Sequence, residues 1–406
     1  MSFISEETIG KKRVKDFLEE MRTLVKEKKS GRLTGDSVTE NSLNNFFETI
    51  MDLIGNNLAF DWVIWKKVRY LSVDPTTKEE TELSALLITP LNMDGKKFPI
   101  MGYQHGTELE RKYAPSCFNI LKPLKYMEVL IATAMAAFGG YITAMPDYQG
   151  MGHDETHSQP YVVAEPLAMA SADLLKVVKN EYETNWNNQL FLSGYSEGGY
   201  VTMVTAREIQ TNPEYTKEFT VTAAAAMAGP YSLTGAMKPI MIGDQPYEWG
   251  YFLPMTIRGY HAAYPDQEMF SKEKAFKPEC QDLYDLVDGY HTVAEVTAAM
   301  PDVPSDALTA EMIAAIQSGT VHDILQENNA YNWKPTMPMY LYHCPDDITV
   351  PPENSVIASR YFRDEGLCVP YIPMFHLPLG SAVHVEAALP CFLCAYTWFD
   401  IFLKKE

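Results

Sequence analysis

The stretch Leu190–Gln210, LFLSGYSEGGYVTMVTAREIQ, is an apolar run that breaks into glycines around one serine and then resumes at helical spacing. Its first part reads as a buried strand and the part from Gly198 onward as a helix. Between them, Gly194-Tyr195-Ser196-Glu197-Gly198 fits G-x-S-x-G. A serine presented on a sharp strand-to-helix turn must take strained dihedrals, and glycines two residues to either side leave room for neighbouring backbone. The following helix points its N-terminal dipole at the site, which favours negative charge developing there. The strand before and the helix after distinguish this motif from a chance match, so Ser196 is the candidate nucleophile.

The same strand–loop–helix rhythm extends outward on both sides. VIWKKVRYLSV and ELSALLITPL read as an opening antiparallel pair. FPIMGYQHG is a buried strand ending in a glycine turn, MEVLIATAMAAFG a helix, YITAMPDYQGMG a strand running into a glycine-rich loop, and AEPLAMASADLLKVVKNEY a long amphipathic helix. The rhythm stops after FTVTAAAAMAGPYSL and returns with MPMYLYHCPDD, VPYIPMF and a closing apolar helix. Alternation of this kind predicts an α/β fold, a mostly parallel sheet flanked by helices. Four segments follow: an N-terminal helical segment at 1–60, a first part of the α/β core at 61–230, a largely helical cap or lid insertion at 231–335, and the rest of the core at 336–406. In the first segment Val14, Phe17, Leu18 and Met21 recur at helical spacing.

Composition sets outer limits. The 406 residues are 46% hydrophobic and 12% aromatic, enough for a sizeable core. A formal net charge of −20 argues against a nucleic-acid partner, because polyanion binding rests on Lys/Arg contacts to phosphate. No stretch approaches the roughly 20 apolar residues of a transmembrane helix. Six cysteines imply no disulfide framework, and Cys391 and Cys394 form a C-x-x-C inside an apolar helix with no second pair to complete a zinc set. The start, MSFISEETIGKKRVKDFLEEM, lacks the apolar centre of a signal peptide. A cytoplasmic protein and one whose leader lies outside this chain both fit. Oligomeric state is not readable.

A serine nucleophile needs a base and an orienting acid, which on a strand–turn–helix of this kind follow in the order Ser, Asp or Glu, His. In LYHCPDDITVPP both Asp346 and Asp347 fall just past a strand end, where catalytic groups gather. Asp347, followed by Ile348-Thr349-Val350-Pro351, is favoured as the acid and Asp346 as a turn residue. For the base, His384 in GSAVHVEAALP is favoured over His376, which stands closer to the preceding strand. The oxyanion requires two backbone donors. The amide of Glu197 should be one, and that of Thr107 in YQHGTE the other, with His105 shaping that loop.

Two further features need weighing. HDETH, His153–His157, imitates H-E-x-x-H, but Asp154 replaces the glutamate and glycines and Pro160 flank it, so a polar loop near the pocket mouth is the better reading than zinc. Within the insertion, Tyr247, Trp249, Tyr251, Phe252 and Met255, with Tyr195 of the serine motif, are candidates to line an apolar substrate cavity; the alternative is a small core.

Taken together, YQHGT with APS downstream, PDYQGMG, GYSEGG, PDDITVP and a histidine before ALPCFLCAYTWF resemble the α/β-hydrolase superfamily, and within it the secretory lipases and bacterial esterase relatives. The resemblance covers most of the chain from about residue 60 except the insertion. It implies a triad on Ser196, Asp347 and His384, a helical cap, and hydrolysis of small or lipid-like carboxylic esters without a cofactor. It departs from the family in placing Glu197 directly after the serine. A serine peptidase of the same fold and a non-catalytic binding protein are the alternatives. Fluorophosphonate labelling separates the last from the enzymes, and substrate panels separate the enzymes from each other.

Overall fold

The computed structural model of the protein describes residues 3–29, 58–376 and 383–404. Among them, strands form at Ser5–Arg13 (β1), Trp62–Val73 (β2), Glu80–Pro90 (β3), Phe98–Gln104 (β4), Ile142–Pro146 (β5), Trp186–Tyr195 (β6), Val221–Met227 (β7), Met339–His343 (β8) and Tyr371–Pro373 (β9). They make one sheet in the order β1-β2-β3-β5-β4-β6-β7-β8-β9. The pairs from β1 to β5 run antiparallel, and β5, β4, β6, β7, β8 and β9 run parallel. The parallel part has to be covered on both faces. In β6, Leu190 and Leu192 enter one core and Phe191 the other, which is why the run reads as continuously apolar.

The first face is covered by helices at Ala164–Glu181, Glu197–Thr211 and Glu353–Asp364, through Leu167, Leu174, Val201 and Phe362. The opposite face carries helices at Val14–Lys29, Met127–Gly139 and Val383–Phe399, through Phe17, Leu130, Phe392 and Phe399. Val14, Phe17, Leu18 and Met21 are all fully buried, as their spacing predicts.

The expectation of a helical 1–60 segment needs correction at its start. Ser5–Arg13 is an edge strand paired with β2. Its sequence, SEETIGKKR, has no apolar alternation because its hydrogen bonds go to a neighbour while most of its side chains face water. The remainder of that expectation, over residues 30–57, lies outside the described residues. Between β7 and β8 the chain adds no strand to the sheet; short helices fill it, with one isolated bridge, Phe276 to Leu308. No helix among the described residues is long and apolar enough to cross a membrane.

Candidate active site

The serine turn takes the conformation its glycines imply. Ser196 sits between β6 and the Glu197–Thr211 helix at φ 60°, ψ −127°, and its amide donates to the Met227 carbonyl at 2.9 Å. Such a backbone costs a non-glycine residue on the order of 1–3 kcal/mol and persists only when its surroundings dictate it. They do so here. A Cβ on Gly198 would stand 2.0 Å from the Gln104 carbonyl oxygen, and one on Gly194 would stand 2.3 Å from that of Gly198. Only glycine lets β4 and the turn approach this closely.

Asp347 follows β8 and is 3% exposed. Its Oδ1 accepts from the amides of Thr349 (2.9 Å) and Val350 (3.0 Å). Its Oδ2 stands 2.5 Å from His384 Nδ1 and 3.2 Å from His343 Nε2. Burial alone would raise its pKa, but His384 and His343 outweigh burial and hold the carboxyl well below the usual range. Asp346 instead faces solvent, 4.0 Å from His376. His376 also approaches Glu386 at 3.4 Å. The structure thus pairs Asp347 with His384, and Asp346 with His376.

His384 is the second residue of the closing helix, inside its first turn rather than in a loop before it; Gly380, Ser381 and Ala382 lie outside the described residues. Its ring packs on Tyr195, with centroids 5.0 Å apart, and its carbonyl accepts from the Tyr195 hydroxyl at 2.6 Å. Tyr195 immediately precedes Ser196, so this contact ties the histidine to the serine turn. His384 Nε2 is buried and has no hydrogen-bond partner among the described residues.

Sequence reasoning missed His343, which is fully buried. Its Nδ1 faces the Ser355 hydroxyl at 2.8 Å, and its Nε2 faces both the Val350 carbonyl at 2.8 Å and Asp347. The signal was a histidine ending an apolar strand four residues before the acid.

Across the turn lies the loop after β4. Gly106 donates its amide to both oxygens of Glu128, at 2.9 and 3.1 Å. The Thr107 hydroxyl donates to Tyr161 Oη at 3.1 Å. The backbone amides of Thr107 and Glu197 donate to no protein acceptor among the described residues. His105 is buried, stacks on Tyr148 at 4.2 Å and faces the carbonyls of Gly106 (2.7 Å) and Asp147 (3.3 Å). It has no contact with Asp347 or His384.

Glu197 is 1% exposed, and neither carboxyl oxygen makes a hydrogen bond of normal geometry. Burial pushes its pKa up to about 8; the Thr107 side chain and Val162 backbone lie close enough to moderate that rise, and Glu128 adds to it. Burial likewise takes Glu128 to about 7, against the pull of its bond from Gly106 and of Tyr103.

A cleft opens over Ser196 and Glu197. Its wall is apolar: Tyr161, Val162, Leu233, Met237, Ile240, Met241, Phe252 and Leu253 line it, with Tyr247 and Val350. Of the residues expected to line it, Tyr247 and Phe252 do. Tyr195, Trp249, Tyr251 and Met255 are not among its walls, because Tyr195 turns to His384, Trp249 packs on Tyr247, Tyr251 on Phe252, and Met255 lies in the core. Val162 is held at φ 50°, unusual for a β-branched residue, by the hydroxyls of Tyr200 and Tyr260, both 3.0 Å from its carbonyl.

The remaining candidates resolve by their contacts. His153–His157 is a loop in which Asp154 accepts from the Gly150 amide and faces His157, while His153 meets Arg69 and Glu82. The two histidines share no helical face. No group of three or more His, Cys, Asp or Glu among the described residues is arranged around a metal site. Cys391 is buried and Cys394 exposed on the closing helix, and both thiols are free.

The sequence profile of the secretory lipase family matches residues 124–399. No curated protein sequence matches the chain. A presumed hydrolase from Legionella pneumophila superposes with a TM-score of 0.76 at 23% identity, covering 100% of this chain and 99% of that one. The rice cell wall degrading esterase LipA from Xanthomonas oryzae, in a ligand-bound form, gives 0.75 at 18% identity over 99% of each chain. Candida antarctica lipase A in its closed state gives 0.66 at 17% identity over 88% of this chain and 81% of its own. At such identities the likenesses speak to the fold, and the profile to the family. The chain therefore belongs to the secretory lipase family and is a carboxylesterase- or lipase-type hydrolase on the α/β-hydrolase fold.

Proposed function

We propose that the protein hydrolyses carboxylic esters with an apolar acyl group through Ser196, His384 and Asp347. The observation that carries this reading is the buried 2.5 Å pair between His384 Nδ1 and Asp347 Oδ2, pinned by Tyr195 beside the strained serine. With Nδ1 committed to Asp347, the imidazole presents Nε2 as the base. Ser196 Oγ attacks the ester carbonyl, His384 takes its proton, and the same proton passes to the leaving alcohol. Asp347, ionised throughout, fixes the tautomer and offsets the imidazolium charge. The free amides of Glu197 and Thr107 receive the oxyanion, and water repeats the sequence on the acyl-enzyme. Segment 231–335 acts as a cap that supplies most of the acyl-binding wall.

The test is labelling by a fluorophosphonate combined with Ser196→Ala. Wild type should form one adduct, on Ser196, and hydrolyse p-nitrophenyl butanoate. The variant should lose both, with kcat falling by about 10³-fold or more. An alanine variant that keeps its rate would remove the proposal.

A further inference from the structure

Glu197 has no place in the chemistry just described beyond its backbone amide, yet its side chain is buried and neither carboxyl oxygen has a hydrogen bond of normal geometry among the described residues, with the Thr107 side chain and Val162 backbone close by. It occupies the first turn of a helix, where an anion would ordinarily be welcome. Among the described residues, the ionisable groups whose charge couples to its own are Glu128, Glu108, Tyr148, Tyr161 and Tyr200, all acids. Glu108 and the Thr107 hydroxyl lie on the loop after β4, Glu128 on the Met127–Gly139 helix, Tyr148 and Tyr161 on the loops after β5, and Tyr200 on its own helix. No Lys, Arg or His is among them. Glu128, by contrast, has two contacts from the Gly106 amide to stabilise its charge. The two carboxyls thus stand on either side of Gly106–Thr107, the segment assigned to the oxyanion.

We propose that Glu197 is a positioning residue that must keep its proton for turnover, with Glu128 as the anionic member of the pair that anchors the oxyanion loop. The inference rests on the reading of Ser196 as nucleophile and of the neighbouring amides as oxyanion donors. The tetrahedral intermediate carries its negative charge beside the amide of Glu197. A neutral carboxyl there adds no repulsion, whereas a carboxylate buried beside the oxyanion opposes that charge directly. Burial raises Glu128 to about 7 and Glu197 to about 8, so between these values Glu197 holds its proton and Glu128 has lost its own. As the pH rises past that window the proton leaves, so kcat should fall on the alkaline side.

The experiment compares kcat for p-nitrophenyl butanoate at about pH 7 and about pH 9, corrected for spontaneous hydrolysis, with folding checked by circular dichroism at both. In Glu197→Gln, which cannot ionise, the ratio of kcat at high pH to that at low pH should exceed the wild-type ratio about tenfold. In Glu128→Gln the alkaline fall should move to lower pH, because removing a neighbouring anion makes Glu197 easier to ionise. That second variant decides the matter if the first does not fold. A wild-type profile without an alkaline fall, an equal ratio in Glu197→Gln, or an unmoved fall in Glu128→Gln would overturn the proposal. Fluorophosphonate labelling of wild type separates the two failures. An adduct on Ser196 with any of these results sinks the role of Glu197 alone, and no adduct sinks the nucleophile reading with it.

Discussion

Asp347 carries four contacts on two oxygens: two amides on Oδ1, two imidazoles on Oδ2. The amides lock the carboxylate plane, and His384 receives the oxygen that remains. The preference for Asp347 over Asp346 rested on the Asp-x-x-Val-Pro run that begins at it, and in the structure Asp347 is the one set against His384. Choosing His384 over His376 depended on knowing which loop swings back over the sheet edge. His343 escaped notice because a strand-end histidine four residues before the acid does not by itself say which side chain it will face. Asp347→Asn should leave the fold intact and lower kcat by about 10³- to 10⁴-fold, because the amide can no longer hold the Nδ1–H tautomer. The carboxyl's depressed pKa also gives a sign for stability. The charged form stabilises the native state above the usual carboxylate range of about 4, and this is lost as pH falls through the native value. The thermal stability difference between wild type and Asp347→Asn should therefore shrink on acidification. A kcat within tenfold of wild type would exclude Asp347 as the orienting acid.

At the scale of elements, the turn between β6 and its helix is where sequence was most informative. Close approach of three backbones leaves room for glycine alone at Gly194 and Gly198, and this steric demand is visible as a motif. Helices such as Met127–Gly139 were legible because an apolar run ends on glycine. β1 was not, because an edge strand exposes its side chains and looks like charged helix. The steric argument makes a prediction at Gly198. A methyl group there meets the Gln104 carbonyl at 2.0 Å, and backbone on both sides prevents relief. Gly198→Ala should lower unfolding free energy by about 3 kcal/mol in urea titration. Gly95→Ala is the control: Gly95 has φ 67°, but a Cβ added to it would meet nothing within 4 Å, so the cost should be only the left-handed backbone term of about 1 kcal/mol. Equal losses would mean that crowding against Gln104 does not set the glycine requirement at the turn.

For the whole molecule, the sheet sets Ser196 and Asp347 just past the carboxyl ends of β6 and β8, and the segment between β7 and β8 supplies most of the cleft wall above Ser196. That division explains why the wall of the cleft was the least legible part. Met237, Ile240 and Met241 lie on short helical turns whose packing is tertiary, and nothing local says which face is turned inward. Aromatic density pointed to the segment that lines the cleft, with Tyr247 and Phe252 on its wall, while the methionine side remained hidden. The position of Met241, 8% exposed and on the wall of the cleft, allows a test of the acyl assignment. Met241→Trp would fill space that a longer chain needs but a short one does not. Each methylene denied burial forfeits about 0.8 kcal/mol, so kcat/KM for p-nitrophenyl octanoate should fall at least about tenfold relative to p-nitrophenyl acetate. Any general strain from the larger ring, about 1–3 kcal/mol, affects both substrates and cancels in the ratio. If octanoate and acetate decline together, the acyl chain lies elsewhere, and the apolar cleft over Ser196 receives the alcohol side of the ester instead.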